Sequence, residues 1–174
     1  MFSNPDQNLS ELGLGEGMKV ADLGAGAGFY TFAAARKVGN AGFVYAIEVQ
    51  RVLVDKIKSN AMAEGLHNVE AIWANAEKIG GTKLREGVAD RVIVSNVLFQ
   101  VEDKDRDNFC LEVKRITKPG GKILIVDWSE VSVLGPKTVV PKSTVRSLFE
   151  KVGFTYEKDF DAGDHHYGIV FKRS

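Results

Sequence analysis

The stretch Val20-Ala21-Asp22-Leu23-Gly24-Ala25-Gly26-Ala27-Gly28 decides how the chain is read. It belongs to a short apolar run, Met18–Leu23, that reads as a buried strand and passes directly into three glycines at every second position. Glycine bends the backbone sharply and leaves no side chain between a loop and a ligand. Beyond the loop, Phe29, Phe32 and Ala33 form one helical set, and Tyr30, Ala34 and Val38 form another. A helix over Phe29–Val38 therefore starts at the turn. Its free N–H groups favour an anionic group such as a carboxylate or phosphate.

Spacing narrows the ligand. The next strand, Gly42–Val49, carries Glu48 near its end, twenty residues past Gly28. An acid there accepts hydrogen bonds from both hydroxyls of a ribose. The dinucleotide fingerprint GxGxxG needs a glycine three residues after its second, where this chain has Phe29. The pattern is instead GxGxG with Asp22 two residues upstream, and it lacks the GK[ST] ending of a phosphate-binding P-loop.

Further along, strand and helix patterns keep alternating. Leu53, Ile57 and Ala61 mark a helix stopped by Gly65, and Val69–Trp73 is a third strand. Arg91–Ser95 reads as strand, and Phe109, Val113 and Ile116 give a helix face ended by Lys118-Pro119-Gly120-Gly121. Ile123–Val126 is apolar throughout, as in a strand buried on both faces. Val145, Leu148, Phe149 and Val152 form another helix, with Gly153 as cap. Phe154–Phe160 and His166–Lys172 are strands joined by Asp161-Ala162-Gly163-Asp164, too short for a crossover, so they pair antiparallel. The fold expected is a doubly wound α/β sheet with an antiparallel strand near one edge.

Composition sets the bounds. The chain has 174 residues, 44% hydrophobic and 26% charged, which suits one globular domain over residues 1–174. Lysine plus arginine and aspartate plus glutamate number 23 each, which counts against a general nucleic-acid binder. No apolar run reaches the ~18–20 residues of a membrane span, and Met1–Ser10 is too polar for a signal peptide. A cytoplasmic location is expected. The single cysteine, Cys110, reads as a buried small residue; Asp103 or Asp105 reads as a helix cap, and Leu9–Leu14 as one helix turn. Trp73 reads as core or adenine-side packing.

At these residues the chain resembles, over nearly its whole length, the class I S-adenosylmethionine-dependent methyltransferases, and among them a small, single-domain, type-11-like bacterial subgroup. VADLGAGAG is similar to the family's first motif, whose loop holds the methionine part of the cofactor. The resemblance thus implies cofactor contacts at Asp22, Gly24, Ala25, Gly26 and Gly28, and ribose contacts at Glu48 with Val49. Asn75-Ala76 stands where the family often has Asp-Ala against the adenine amino group; an asparagine carbonyl still accepts from an amine. Ser95-Asn96-Val97-Leu98 is similar to the fourth motif and adds Asn96. The KPGG before a strand, Asp127-Trp128 and DAGDHHYG fit the same likeness. The implied fold is Rossmann-like, seven-stranded, in the order 3-2-1-4-5-7-6 with strand 7 antiparallel.

Ligands of open α/β sheets bind outside the carboxyl ends of the parallel strands. In the implied order, the start of the last strand reaches the rim that carries Asp127 and Trp128. This makes Asp127, His165 and His166 candidate catalytic residues, with Phe99 and Trp128 as candidate substrate contacts. A histidine, with a pKa near ~6.5, or the aspartate serves as a base where the acceptor carries a proton. Adjacent strand residues point to opposite faces, so at most one of the two histidines faces a pocket, and the alternative is that neither is catalytic and one caps the Asp161–Asp164 turn. For the same reason no metal is expected. The activity expected is methyl transfer from S-adenosylmethionine to an acceptor. Neutral charge favours a small molecule, with RNA and protein left open. The alternatives are a non-catalytic sensor or partner subunit for that cofactor or its demethylated product and, disfavoured by GxGxG, a nicotinamide oxidoreductase. Oligomeric state is not legible.

Overall fold

The computed structural model describes residues 3–174. Seven strands, β1 (Lys19–Leu23), β2 (Phe43–Glu48), β3 (Val69–Trp73), β4 (Ala89–Ser95), β5 (Thr117–Trp128), β6 (Phe154–Asp161) and β7 (His166–Arg173), form one sheet. Its order is β3-β2-β1-β4-β5-β7-β6. The first five strands run parallel, and β7 runs antiparallel to both β5 and β6. This is the order that the resemblance implied and the hairpin that the short link required.

Five helices cover the sheet: α1 (Pro5–Leu12), α2 (Phe29–Val38), α3 (Arg51–Ala63), α4 (Asp103–Ile116) and α5 (Lys142–Lys151). Alternation along the buried strands sends neighbouring residues to opposite layers. Ile123 and Ile125 pack with Phe109 and Val113 of α4 and Phe149 of α5. Leu124 and Val126 pack on the other face with Leu9 and Leu12 of α1 and Ala34 and Val38 of α2. Val54, Ile57 and Ala61 of α3 close the end of that face against Ala46 and Ala71. Each fully buried large side chain contributes about 1.5–3 kcal/mol. These layers therefore hold the strand ends, and whatever they carry, in fixed positions.

Three details depart from expectation. The N-terminal helix has two turns rather than one: Asn4 Oδ1 accepts from Gln7 N at 3.3 Å, Pro5 stands in the first turn, and Gly13 ends it at φ 65°. Residues 118–121 are not a free loop. Strand β5 already begins at Thr117, opposite Ala89, and the ladder resumes at Arg91 and Lys122, so the Pro-Gly-Gly segment is a bulge in the strand. Neither Asp103 nor Asp105 caps α4; Glu102 holds the cap position without a side-chain bond, and Asp103 pairs with Arg106 at 2.6 Å. Cys110 is buried, as expected.

Candidate active site

A cavity of about 650 Å³ opens at the carboxyl ends of the parallel strands. That volume falls within the roughly 300–1,000 Å³ usual for small-molecule sites. Its floor is the glycine loop. The amides of Gly24 and Ala25 both donate to Ile47 O, at 2.8 and 3.0 Å, which folds the loop back onto β2. Gly24 has φ 69°, and a Cβ there would collide with Val97 Cγ2, so only glycine lets the loop pass under the segment after β4. Gly28, at φ 90°, does not line the cavity; a Cβ there would lie 2.8 Å from Phe32 Cζ. It steers the chain into α2.

Glu48 ties the loop to the second strand. Its Oε2 accepts from Gly26 N and its Oε1 from Gln50 N, both at 2.9 Å. The carboxylate is 5% exposed and lines the cavity beside Val49. Asp22 lies under the loop, 2% exposed, with Thr31 Oγ1 donating to it at 2.6 Å. Burial pushes its pKa up to about 7 against that hydrogen bond, and the charge of Glu48 adds to the rise.

Asn75 and Ala76 line the cavity after β3, where Asn75 Oδ1 accepts from Glu77 N at 2.8 Å. Trp73 does not join them. It is 52% exposed, its Nε1 donates to Val49 O at 2.8 Å, and Arg51 lies over its ring. Asn96 follows β4 at φ 58°, a left-handed conformation that asparagine tolerates better than most residues. Its N–H donates to Val126 O at 2.8 Å, while its buried Oδ1 has no hydrogen-bond partner among the described residues.

The antiparallel strand brings a second group to the rim. Trp128 and His166 face each other across the β5–β7 ladder, ring centroids 4.4 Å apart, and both line the cavity. His166 is 6% exposed; burial, with the neighbouring His165, pushes its pKa down. Asp127, one residue earlier, points into the opposite layer opposite Tyr167 and is fully buried. Its Oδ1 accepts from Trp128 N at 2.8 Å, and burial pushes its pKa up to about 6 despite the amides of Trp128, Phe99 and Leu98. Phe99 packs against the core rather than lining the cavity. His165 also lies off the lining, its carbonyl accepting from Ser129 N at 2.8 Å.

Sequence reasoning missed the other wall. Ser3 and Pro5 line the cavity, and Ser3 Oγ meets Tyr30 OH at 2.5 Å while Asn8 Nδ2 donates to both, at 2.7 and 2.8 Å. The signal available was Asn4-Pro5, a capping residue followed by the residue best tolerated at a helix start. The charged lining residues are Asp22, Glu48 and Glu77; no lysine or arginine lines the cavity among the described residues.

With the loop, the strand-end acid and the sheet order in place, the comparisons with known proteins agree with the geometry. Residues 14–159 match a family described as a methyltransferase domain. The chain belongs to that family, within the class I S-adenosylmethionine-dependent methyltransferases. It is 29% identical over 150 residues to the ubiquinone/menaquinone biosynthesis C-methyltransferase UbiE of Vibrio campbellii, covering 84% of this chain and 54% of that one. The chain thus spans about half the length of the curated relatives it matches. A structure of a SAM-dependent methyltransferase from Aquifex aeolicus superposes with a TM-score of 0.89 at 30% identity, covering 99% of this chain and 91% of that one. The [4+2]-cyclase SpnF matches at a TM-score of 0.82 and 16% identity, over 97% of this chain and 79% of that one, a likeness of fold alone.

Proposed function

We propose that the protein transfers a methyl group from S-adenosylmethionine to a small-molecule acceptor. The observation that carries this reading is the bridge from Gly26 N to Glu48 at the floor of a cavity whose charged lining is wholly acidic. When bound, the cofactor supplies an activated methyl group on a cationic sulfonium sulfur. Asp22 and Glu48 offset that charge. Gly24, Ala25 and Gly26 hold the methionine end, with Asn96 Oδ1 free to accept from its amine. Glu48 with Val49 receives the ribose, and Asn75 with Ala76 the adenine. Gly28 shapes the turn, and Asp127 is buried in the opposite layer; neither lines the cavity. His165 has no chemical role in this reading.

A small acceptor follows from charge. RNA binding draws most of its affinity from lysine and arginine against phosphate, and neither lines the cavity among the described residues. The UbiE relatives carry a small-molecule biosynthetic name, which points the same way. Equilibrium binding of S-adenosylmethionine, S-adenosylhomocysteine and NAD tests the cofactor. Both adenosyl ligands are expected to bind and NAD to fail. NAD binding alone refutes the reading, and adenosyl binding with no transfer of labelled methyl to any small-molecule fraction refutes the activity.

A further inference from the structure

Asp127 is a buried acid that the methyl-transfer reading leaves unused. It is fully buried and stands outside the cavity lining. Its Oδ1 accepts from Trp128 N at 2.8 Å, whereas its Oδ2 has no hydrogen-bond partner among the described residues. An orphaned buried oxygen asks for a reason. The neighbouring segment supplies one. Asn96 N bonds to Val126 O, which sets the chain after β4 beside Asp127. There it forms a single 3-10 turn, Leu98–Gln100. The first amides of a helical turn have no carbonyl one turn back, and neither Leu98 N nor Phe99 N bonds to a backbone carbonyl among the described residues. Burial is the larger influence on the acid and raises its pKa, but the amides of Phe99 and Leu98 face the carboxylate and favour its ionised form, as does Arg106.

The segment behind which Asp127 sits is a wall of the cavity. Val97, Gln100 and Val101 line it, and Val97 Cγ2 fills the space that a Cβ on Gly24 would need. At the far end Arg106 Nε donates to Val101 O at 3.2 Å. An acid at the first amides and a cation at the last carbonyl match the dipole of the turn. The other groups nearby are already engaged. Arg106 pairs with Asp103 at 2.6 Å. Tyr167, across the ladder, donates to Val140 O at 2.7 Å and keeps its proton, since burial and then Asp127 and Glu130 push its pKa up. The turn itself carries no titratable side chain.

We propose that Asp127 is a positioning residue for the cofactor: closure of the Val97–Val101 wall on the ligand completes the hydrogen bonds from Leu98 N and Phe99 N to the ionised carboxylate. This rests on the cofactor reading of the cavity and adds a coupling behind its wall. The coupling is reciprocal, so an ionised Asp127 tightens cofactor binding and a bound cofactor lowers the pKa of Asp127 by the same factor. In the free protein that pKa is pushed up to about 6, so affinity rises as pH climbs through this value.

Amide NMR spectra, with and without S-adenosylhomocysteine, test this. The Leu98 and Phe99 resonances should move together as the carboxylate titrates near pH 6, and the midpoint should fall by about one unit when the ligand is bound. Calorimetry of Asp127→Asn gives a second reading. Asparagine, like the neutral acid, turns a donor toward the two amides while keeping an oxygen for Trp128 N. At pH 8 the variant should bind S-adenosylhomocysteine about tenfold more weakly than the native protein, the worth of one charge-assisted hydrogen bond, and at pH 5 only about twofold. Asp22 titrates in both proteins, so the ratio of affinities isolates Asp127. The inference is overturned if the two resonances do not follow the acid, if the ligand leaves the midpoint where it was, or if the deficit of the variant is absent or equal at both pH values. A native protein that fails to bind S-adenosylhomocysteine refutes the cofactor reading instead, so the two failures are distinct.

Discussion

Replacing Glu48 by glutamine keeps the shape of the floor and changes its chemistry. In the native chain both carboxylate oxygens accept, from Gly26 N and Gln50 N at 2.9 Å, and the side chain lines the cavity. Glutamine has one accepting oxygen, and its NH2 confronts a backbone N–H. The free protein should lose about 1 kcal/mol, for one unmade hydrogen bond. The larger effect falls on the ligand. Hydrogen bonds to a charged acceptor are worth about 1.5–3 kcal/mol, so S-adenosylhomocysteine should bind roughly 10- to 150-fold more weakly. Thermal unfolding reads this directly. At a hundred times the native dissociation constant, the ligand adds about 2.7 kcal/mol, or about 5–11 °C for a chain of this size. The same ligand concentration should stabilise the variant by only about 0.3–1.4 kcal/mol, or about 1–6 °C above its own baseline. A variant that keeps the full native shift refutes the assignment of Glu48 to the ribose. A native shift with NAD equal to that with S-adenosylhomocysteine refutes the reading of the loop.

Two further outcomes are expected. Burial alone would raise the pKa of Glu112, but Arg115, Thr82 and the amides of Gly80 and Thr82 hold it down to about 2, from an ordinary 4.5. Its stabilisation, about 3 kcal/mol, is therefore complete above pH 4.5 and lost as pH falls toward 2; Glu112→Gln should remove that amount near neutrality and flatten the acid limb of an unfolding-versus-pH curve. Asp22 shifts the other way, raised to about 7 from 3.8, so its contribution to stability is full below 3.8 and lost as pH climbs through about 7. Asp22→Asn should therefore be more stable than the native protein on the alkaline side, measured by denaturant unfolding. It should also abolish a rise in S-adenosylmethionine affinity through about pH 7, since a cationic ligand favours the ionised acid.

The half of the cavity proposed for the cofactor was legible because its signals are local. A glycine loop, the helix behind it and an acid at the next strand end occupy one run of chain, and Phe29–Val38 and Val69–Trp73 have the bounds their patterns suggest. The half that carries Trp128 and His166 was legible only as a neighbourhood. Reading β5 could not decide whether Asp127 or Trp128 faces the cavity, because Ile123–Val126 is apolar on both faces and carries no record of parity. The same ambiguity joined His165 to His166 until the pairing of Trp128 with His166 settled which one turns inward. The bulge at residues 118–121 depends on how β4 and β5 align, a relation between distant segments that local turn chemistry does not contain. Ser3 is held at the cavity by Asn8 and Tyr30, contacts that leave no periodic trace.

The reversed direction of β7 has a consequence for how such a protein changes its substrate. The parallel strands β1 to β4 deliver the residues proposed to hold the cofactor, whereas His166 arrives on a separate hairpin whose turn spans residues 162–165. The choice of His166 over Tyr167 is set by the alignment of β7 with β5 and by nothing in the glycine loop. A slip of one residue in that ladder would present a phenol in place of an imidazole. On the proposed reading the hairpin is a separable edge of the site: grafting its turn and first residues from a relative should change the wall that His166 and Trp128 form while leaving S-adenosylhomocysteine binding as it is.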